Sequence, residues 1–423
     1  MRLAVAPEDQ LLLLLARGNL LPLVQEQALA LLATPLRWDL ILERAETQGV
    51  YPLFYRNLAT LGFPGVPEEA RTQLHHLSRI NLLRNTLLTE ELVRVLTRLG
   101  DAGIPTIPLK GVALAESLYG DPALRACVDI DILVPRPMVA RALQLLRLDG
   151  YESEFTSGFF ADLLLRHDIE YALTREERGS RYLLELHWGL LWGLPWDKAA
   201  TEEIWAEAQP GDCFGIPAYR LSPEWELLFL AVHAARHQCQ GLKWLVDIDA
   251  ICSTRSIDWE KVREKAARAG WGEAVRLTLS ACQTLFDTPI PSDLLLRVLP
   301  PWVILFPATA SASLTDAFFP ARLLRRPSEK LRFLLRVLLV PTLAERRLLL
   351  LPSFLGLLYY PLRPLRLACK WSWLALCGVL GNRGQRAEIR GQTSEVRGQR
   401  SEVGDQKIAV GDLTSDGRHP GKP

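Results

Sequence analysis

The sequence predicts an α+β fold in which a small mixed β-sheet is flanked by helical regions before and after it in the chain. From residue 8 to about 103, apolar residues recur at intervals of three and four, which is typical of amphipathic helices. Short apolar runs of strand type follow, and helical spacing returns after Pro223. These changes predict a helical region at 1–103, an α/β core at 104–220, a second helical region at 221–381 and a tail at 382–423.

The first helical region closes with a clear amphipathic pattern over 81–99, which Gly100 is expected to end. A short β run then stops at Lys110-Gly111. At that point the chain is predicted to pass into a one-faced helix over 112–119.

Three further strands are expected in the core. An apolar strand over 130–134 is bounded by Pro135. Two more strand candidates, at 169–173 and 182–187, are separated by a polar turn over 175–180. Together they predict a small sheet with helices packed on it.

Helix-start signals mark the second helical region. Ser222 is a predicted N-cap, with Pro223 at the first helical position. Asp258 is predicted to cap another helix, which Gly270 would end.

The tail contains three successive heptads of the form Arg-Gly-Gln-x-(Ser/Ala)-Glu-(Val/Ile), at 383–389, 390–396 and 397–403. Each heptad holds a glycine and only one large apolar residue, so it cannot form the two-position apolar seam of a coiled coil. The composition therefore predicts disorder from about Asn382 onward.

Composition narrows the classes of function. The 49 basic and 48 acidic residues give a net charge of +1, so the chain lacks the positive field that a long nucleic-acid partner would require. Its seven cysteines are scattered without a Cys-x-x-Cys pair, which indicates neither a zinc ribbon nor a disulfide framework. The start of the chain does not follow the secretory pattern, and no uncharged apolar run reaches about 18 to 20 residues. We therefore expect a cytoplasmic protein.

Two aspartates at the start of a predicted strand are the strongest candidates for chemistry. Asp129 and Asp131 alternate with Val128, Ile130 and Ile132, so both carboxylates are expected on one face. Two neighbouring acids repel each other, and proteins tolerate such a pair when a cation neutralises it. Oxygen ligands favour Mg²⁺ over zinc, although an arbitrary Asp-x-Asp is more often a pair of solvated strand-end acids.

The surrounding residues favour the metal site. Lys110-Gly111 stands where a strand passes into a helix, so the glycine permits a close backbone approach and the first helical amides can hold phosphate. Lys110 adds a positive charge for the same phosphates. Glu185 alternates with Leu184 and Leu186, which places a third carboxylate on a polar strand face. Three carboxylates beside a phosphate-binding turn predict metal-assisted phosphoryl transfer.

Four segments of the chain resemble uncharacterised bacterial nucleotidyltransferases of the DNA polymerase β-like superfamily. They are LKGVALAESLYGDPALR at 109–125, DIDILV at 129–134, LELHW at 184–188 and HAARH at 233–237. The resemblance extends from residue 8 to about 370. It implies a small mixed sheet carrying the acids, and transfer of a nucleoside monophosphate from a nucleoside triphosphate (NTP) with loss of pyrophosphate.

The resemblance also implies roles for individual residues. Asp129 and Asp131 would bind two Mg²⁺ ions, and Glu185 would hold the catalytic ion and favour deprotonation of the acceptor hydroxyl. Lys110 and Gly111 would form the phosphate turn. Separately from the resemblance, Arg125 lies four residues before Asp129 and could reach the triphosphate, with a surface arginine as an equal alternative. The acceptor is left open as a small molecule, a sugar or a peptide.

Histidines near these motifs are weaker candidates. His187 shares the face of Glu185 and could orient it, but a hydrogen-bonded histidine near a strand end is the favoured interpretation. His233 and His237 lie one helical turn apart without the glutamate of a metalloprotease motif, which favours a structural or substrate-lining role. Trp244 is predicted to be a core residue rather than a platform for a base.

The segment 322–370 is strongly basic, with eleven lysines and arginines against Glu329 and Glu345, a local charge of +9. Basic residues mixed with apolar ones suit contact with anionic lipid or with a partner protein. A helical layer with an ordinary charged exterior is an equal alternative.

Two hypotheses about function follow. The first is an active Mg²⁺-dependent nucleotidyltransferase. The second is a catalytically weak or inactive nucleotide-binding scaffold that recruits a partner or a membrane surface through the basic segment. Val128 motivates the second hypothesis, because a small residue commonly stands at that position in the superfamily.

Overall fold

The computed structural model describes residues 6–153, 158–190, 198–297, 319–324 and 326–379. The predicted disordered tail at 382–423 lies outside the described residues. The helices in the described ranges are α1 (Pro7–Leu15), α2 (Pro22–Leu32), α3 (Trp38–Thr47), α4 (Tyr51–Thr60), α5 (Glu68–Asp101), α6 (Gly111–Tyr119), α7 (Val139–Leu148), α8 (Phe159–His167), α9 (Lys198–Glu207), α10 (Pro223–Arg236), α11 (Leu242–Thr254), α12 (Trp259–Arg268), α13 (Gly272–Phe286), α14 (Phe319–Leu323), α15 (Pro327–Leu339), α16 (Leu343–Leu348) and α17 (Tyr359–Val379). The strands are β1 (Ile107–Pro108), β2 (Ile130–Leu133), β3 (Glu170–Glu177), β4 (Ser180–His187), β5 (Gln209–Cys213) and β6 (Ile216–Arg220).

Helices precede and follow a four-stranded mixed sheet, which confirms the predicted α+β fold. The strand order is β1-β2-β4-β3, and β2 pairs in parallel with β4 while the other two pairings are antiparallel. The central pair β2 and β4 therefore places the two acid-bearing strands side by side.

The fifth helix is longer than the predicted helix over 81–99. It starts after Pro67, and its apolar stripe already includes the fully buried Leu74. Gly100 does not end it; the chain turns at Gly103, whose φ is +71°. The helix can include Gly100, because one glycine near a helix end costs less free energy than burial of the apolar stripe contributes.

The hairpin of β3 and β4 is tighter than the predicted turn over 175–180. Both strands continue to a two-residue turn at Arg178-Gly179, where both φ angles are positive, +50° and +77°. Positive φ at both positions is the type I′ geometry, which matches the twist of the flanking strands.

A second hairpin, β5–β6, was not predicted from the sequence. Its strands are short and mostly exposed and each contains a proline, so the alternating apolar pattern of a strand is missing. The amide of Tyr219 donates to the carbonyl of Thr106 at 2.9 Å, which holds the hairpin beside β1.

The two predicted helix caps had different outcomes. The Asp258 carboxylate accepts from the amides of Glu260 and Lys261 at 3.1 and 3.2 Å, which confirms the cap of α12. Ser222 stands at the N-cap position of α10 with Pro223 as the first helical residue, as predicted, but its hydroxyl donates to Glu207 Oε2 at 3.1 Å and makes no capping hydrogen bond.

The two helical regions share one hydrophobic core although the sheet separates them in sequence. Phe54 from the first region and Trp225 and Trp271 from the second belong to the same buried cluster. A separate cluster lies around the sheet and includes Ile132 and Leu184. Helix α5 contributes to both cores and therefore fixes the sheet against the helices. None of the described helices is both long and apolar enough to cross a bilayer.

Candidate active site

The sheet brings the predicted site residues of three neighbouring strands together. In the parallel pair β2–β4, Asp131 lies directly opposite Glu185, and His187 follows on the same face two residues later. Lys110 follows β1, and β1 pairs with β2 on its other side. Asp131 is thus flanked by a cation from one strand and by an acid and a histidine from the other.

Asp131 is the centre of a buried polar cluster. Its Oδ1 lies 2.9 Å from Lys110 Nζ and 3.1 Å from His187 Nε2. The same His187 nitrogen lies 3.7 Å from Glu185 Oε2, and its Nδ1 lies 3.4 Å from Glu170 Oε2. The side chain of Asp131 is fully buried, so these contacts replace its hydration.

Electrostatics keeps the central acids ionised. Burial opposes the charge of Asp131, but Lys110 and His187 hold its pKa well below the usual range. Burial would also raise the pKa of Glu185, yet a hydrogen bond with His187 lowers it. In return, the two carboxylates raise the pKa of His187 to about 10, although burial by itself would lower it. At neutral pH, two protein cations therefore balance the two anions.

Asp129 lies at the edge of this cluster. It is half-buried, and burial together with the charge of Asp131 raises its pKa. Its carbonyl oxygen lies so close to Gly111 that a Cβ there would be 3.2 Å away. Gly111 also has a φ of +66°, so glycine is needed at this turn for both backbone conformation and space.

Lys243 on α11 is a further cation near the acids that the sequence did not reveal. Its pKa is lowered by burial and by the charge of Arg125, while Asp129 opposes that shift. Its Nζ donates to the carbonyl of Ala126 at 3.4 Å, and Ala126 lies in the loop four residues before the start of β2. The packing of α11 against this loop brings Lys243 there, and no local sequence spacing signals such packing.

Arg125 is fixed by a buried ion pair. Its Nε lies 2.9 Å from Asp247 Oδ2, and the Tyr119 hydroxyl donates to the other carboxylate oxygen at 2.8 Å. The sequence had placed Arg125 at the triphosphate, and that contact stays a prediction.

Two buried asparagines of α5 hold the loop that leads into β2. Asn81 Nδ2 donates to the carbonyls of Ala123 at 2.7 Å and Arg125 at 3.2 Å. Asn85 Nδ2 donates to the carbonyls of Pro122 at 2.6 Å and Arg125 at 2.8 Å. The amides satisfy loop carbonyls that would otherwise be buried without a donor. Helix α5 thereby fixes the loop that leads into Asp129 and β2.

The cluster has the donor set of a metal site. Asp131 and Glu185 each offer one carboxylate oxygen, and His187 would offer a ring nitrogen after loss of its proton; these atoms lie within 4.8 Å of one another. Asp131 Oδ2 is buried and has no hydrogen-bond partner among the described residues, so it can accept a cation. The set predicted from sequence shares Asp131 and Glu185 with this group. Asp129 lies outside it, and its metal role stays a prediction.

His233 of α10 and His237, which directly follows that helix, form an aromatic cluster with α11. The rings of His233 and His237 lie 4.9 Å apart, and His237 stacks on Trp244 at 4.7 Å with an angle of 29° between the ring planes. Lys110 Nζ lies 6.0 Å from the ring centroid of Phe229 on the same helix. The cluster therefore lies on the helix that borders the acids.

A family model described as uncharacterised nucleotidyltransferase matches residues 34–287, more than half of the chain. The chain belongs to this nucleotidyltransferase family. It is accordingly a transferase, as the sequence motifs predicted. The matched range contains all the site residues described above. No curated protein matches the chain.

Two solved structures are similar to the chain. One is an antigenic nucleotidyltransferase-like protein from Paracoccidioides brasiliensis, with 19% identity over 49% of this chain and 95% of that chain and a TM-score of 0.32. The other is the antibiotic-resistance factor ANT(2'')-Ia, with 16% identity over 44% of this chain and 91% of that chain and a TM-score of 0.30. Both TM-scores are low, and the assignment rests on the family match.

Proposed function

We propose that this nucleotidyltransferase moves a nucleoside monophosphate from an NTP to a small-molecule, sugar or peptide hydroxyl in a Mg²⁺-dependent reaction. The observation that supports this most is the pairing of Asp131 with Glu185 on adjacent parallel strands, with one buried oxygen of Asp131 that has no partner among the described residues. Lys110 and His187 already balance the two carboxylates, but they contact only the other oxygen of Asp131, and carboxylate oxygens are the ligands that Mg²⁺ prefers.

The acids would hold the ions and prepare the acceptor. Asp131 and Glu185 would bind Mg²⁺, with Asp129 at the edge of the cluster as the further ligand. Bound Mg²⁺ would supply charge neutralisation for the phosphate oxygens. The Glu185 carboxylate would accept the hydroxyl proton as the acceptor oxygen bonds to the α-phosphorus. The bond between that phosphorus and the bridging oxygen breaks, and pyrophosphate leaves with the electron pair.

The turn at Lys110-Gly111 would bind the triphosphate. Helix α6 begins at Gly111, so its first amides lack helical acceptors and suit phosphate oxygens. Lys110 would supply charge from one side, and Lys243 would supply it from the side of Asp129.

Label transfer tests this proposal. Purified protein, Mg²⁺ and each NTP labelled at the α-phosphate are incubated with a metabolite extract that supplies acceptors. We expect pyrophosphate release and a labelled product from at least one NTP, and loss of both in Asp131→Asn. Glu176→Gln is the control, because Glu176 is an exposed acid on β3 of the same sheet. Absence of both nucleotide binding and pyrophosphate release would refute the proposal.

The nucleotide-binding scaffold remains the second candidate, because the C-terminal helices expose apolar side chains that catalysis does not use. Under this alternative, nucleotide binds to the same residues without turnover. Binding of NTP with no pyrophosphate release under any acceptor condition would favour the scaffold over the enzyme.

A further inference from the structure

A continuous apolar segment over 348–358 joins α16 to α17 at the protein surface. Phe354 is 82% exposed, Leu350 76% and Leu357 72%. Four further leucines of this segment are exposed, at positions 348, 349, 355 and 358. Large exposed apolar patches on a folded protein mark sites of interaction.

The segment has a defined inner side, so its exposure is not that of a frayed chain end. The Tyr359 hydroxyl accepts from the Leu351 amide at 2.8 Å and donates to the Leu349 carbonyl at 2.7 Å. Gly356 is buried against the ring of Phe159 on α8, where no Cβ would fit. Because the backbone is fixed on this side, the exposed leucines are held outward.

Elsewhere in the described ranges, exposed large apolar side chains form no run of comparable length. Helix α5 shows one adjacent pair, Leu82 at 49% and Leu83 at 55%. Helix α15 shows a stripe on one face, with Leu331, Leu335 and Leu339 at intervals of four. The stripe and the apolar segment belong to one group of helices at 319–379, here called the C-terminal layer, because α15 packs on α17.

The charges of this layer are complementary to an anionic surface. Between residues 319 and 379 the sequence has only two acids, Glu329 and Glu345. Glu345 is fully buried and ion-paired with Arg363 and Arg366, so it presents no negative charge outward. Arg347 next to the apolar segment is exposed, as are Lys330, Arg332 and Lys370.

We propose that segment 348–358 inserts into the headgroup region of an anionic lipid bilayer and attaches the protein peripherally. Apolar insertion combined with basic residues is the two-part pattern that gives stable attachment to a membrane surface. Both acids of this layer are ion-paired, Glu329 with Arg326 and Glu345 with Arg363 and Arg366, so the layer's charge does not oppose an anionic headgroup surface. The inference is independent of nucleotidyl transfer, since it uses no residue of the acid cluster.

Vesicle co-sedimentation of the full chain tests the proposal. Vesicles of phosphatidylcholine alone are compared with vesicles that also contain phosphatidylglycerol. We expect pelleting with the anionic vesicles, and loss of most pelleting at about 1 M salt, where the Debye length is about 3 Å. The triple variant Leu350→Ser/Phe354→Ser/Leu357→Ser is expected to lower the apparent partition coefficient at least about tenfold.

A matched variant tests whether vesicle binding depends on this segment or on any pair of exposed leucines. Leu82→Ser/Leu83→Ser removes two exposed leucines from α5 and is expected to pellet like the wild type. Asp131→Asn should also pellet normally, so failure of the catalytic proposal leaves this result unchanged. Hydrogen exchange of the amides at 348–358 should slow when anionic vesicles are added.

Three results would overturn the proposal. The first is equal recovery of wild type and triple variant with anionic vesicles, and the second is no pelleting of the folded wild type at low salt. The third is a wild type that does not bind vesicles and that light scattering shows to be a dimer, while the triple variant is a monomer. That last result would assign the segment to a second copy of the chain.

Discussion

Asp131 has the most demanding position of the site residues, because one oxygen serves two protein cations while the other oxygen has no partner among the described residues. Lys110 and a metal ion on the other oxygen would therefore share one carboxylate, and the repulsion between their charges would set them in competition. This competition gives the site a property that can be measured without knowing the acceptor.

Lys110→Met should reveal the competition. Loss of one partner of a buried pair costs about 3 kcal/mol of folding free energy, so the metal-free variant should melt at a lower temperature than the wild type. A divalent ion restores the missing positive charge, so Mg²⁺ should raise the melting temperature of Lys110→Met more than that of the wild type.

Calorimetric melting curves in EDTA and in Mg²⁺ measure this difference. The double variant Lys110→Met/Asp131→Asn serves as the control, since it should lose the additional Mg²⁺ response. An identical Mg²⁺ shift in the wild type and in Lys110→Met would argue against a metal on Asp131.

Alternation along single strands was enough to predict the acids from the sequence. Asp131 and Glu185 each stand between apolar neighbours, and the structure places both on one face. His187 lies on that face as well. Its position two residues after Glu185 predicted the face, but it did not show whether the side chain would contact Asp131 or be an ordinary histidine near a strand end. Lys243 could not be predicted, because its place depends on the packing of α11.

At the scale of elements, the loop between α6 and β2 decides where the first acid stands. Asn81 and Asn85 bind its carbonyls from α5, a helix whose amphipathic pattern was predicted while its polar contacts were not. A buried asparagine within a helical pattern gives no sequence signal of the loop that it binds, since the partners are about forty positions away.

Asn85→Ala should displace this loop. The Pro122 carbonyl loses its donor, which costs about 1 to 3 kcal/mol, and the Arg125 carbonyl keeps the longer bond from Asn81, so the start of β2 is held less firmly. We expect NTP affinity in Mg²⁺ to fall several-fold while the protein stays folded at 20 to 25 °C.

Asn57→Ala is the matched control for this variant. Asn57 is likewise buried, and its Nδ2 donates to the carbonyls of Leu15 at 2.8 Å and Arg17 at 2.9 Å, among residues outside the acid cluster. Both variants should lose stability, but only Asn85→Ala should lose nucleotide affinity, as measured by titration calorimetry. Equal affinities in the two variants would remove the positioning role of Asn85.

At the scale of the whole molecule, the helices before and after the sheet act as one support. Sequence periodicity predicted both helical regions but not their shared core, because it reports which face of a helix is apolar and not what covers it. The family match ends at residue 287, whereas the apolar segment 348–358 follows it in the chain. The proposed lipid attachment therefore lies outside the range that defines the family.

The proposed function requires that the acids of β2 and β4 bind a divalent ion together with an NTP. Electron paramagnetic resonance of Mn²⁺, which accepts the same oxygen ligands as Mg²⁺, tests it directly with a non-hydrolysable NTP analogue. We expect the wild type and Glu176→Gln to remove Mn²⁺ from solution, whereas folded Asp131→Asn and Glu185→Gln should not. Equal Mn²⁺ binding by all four proteins would contradict it.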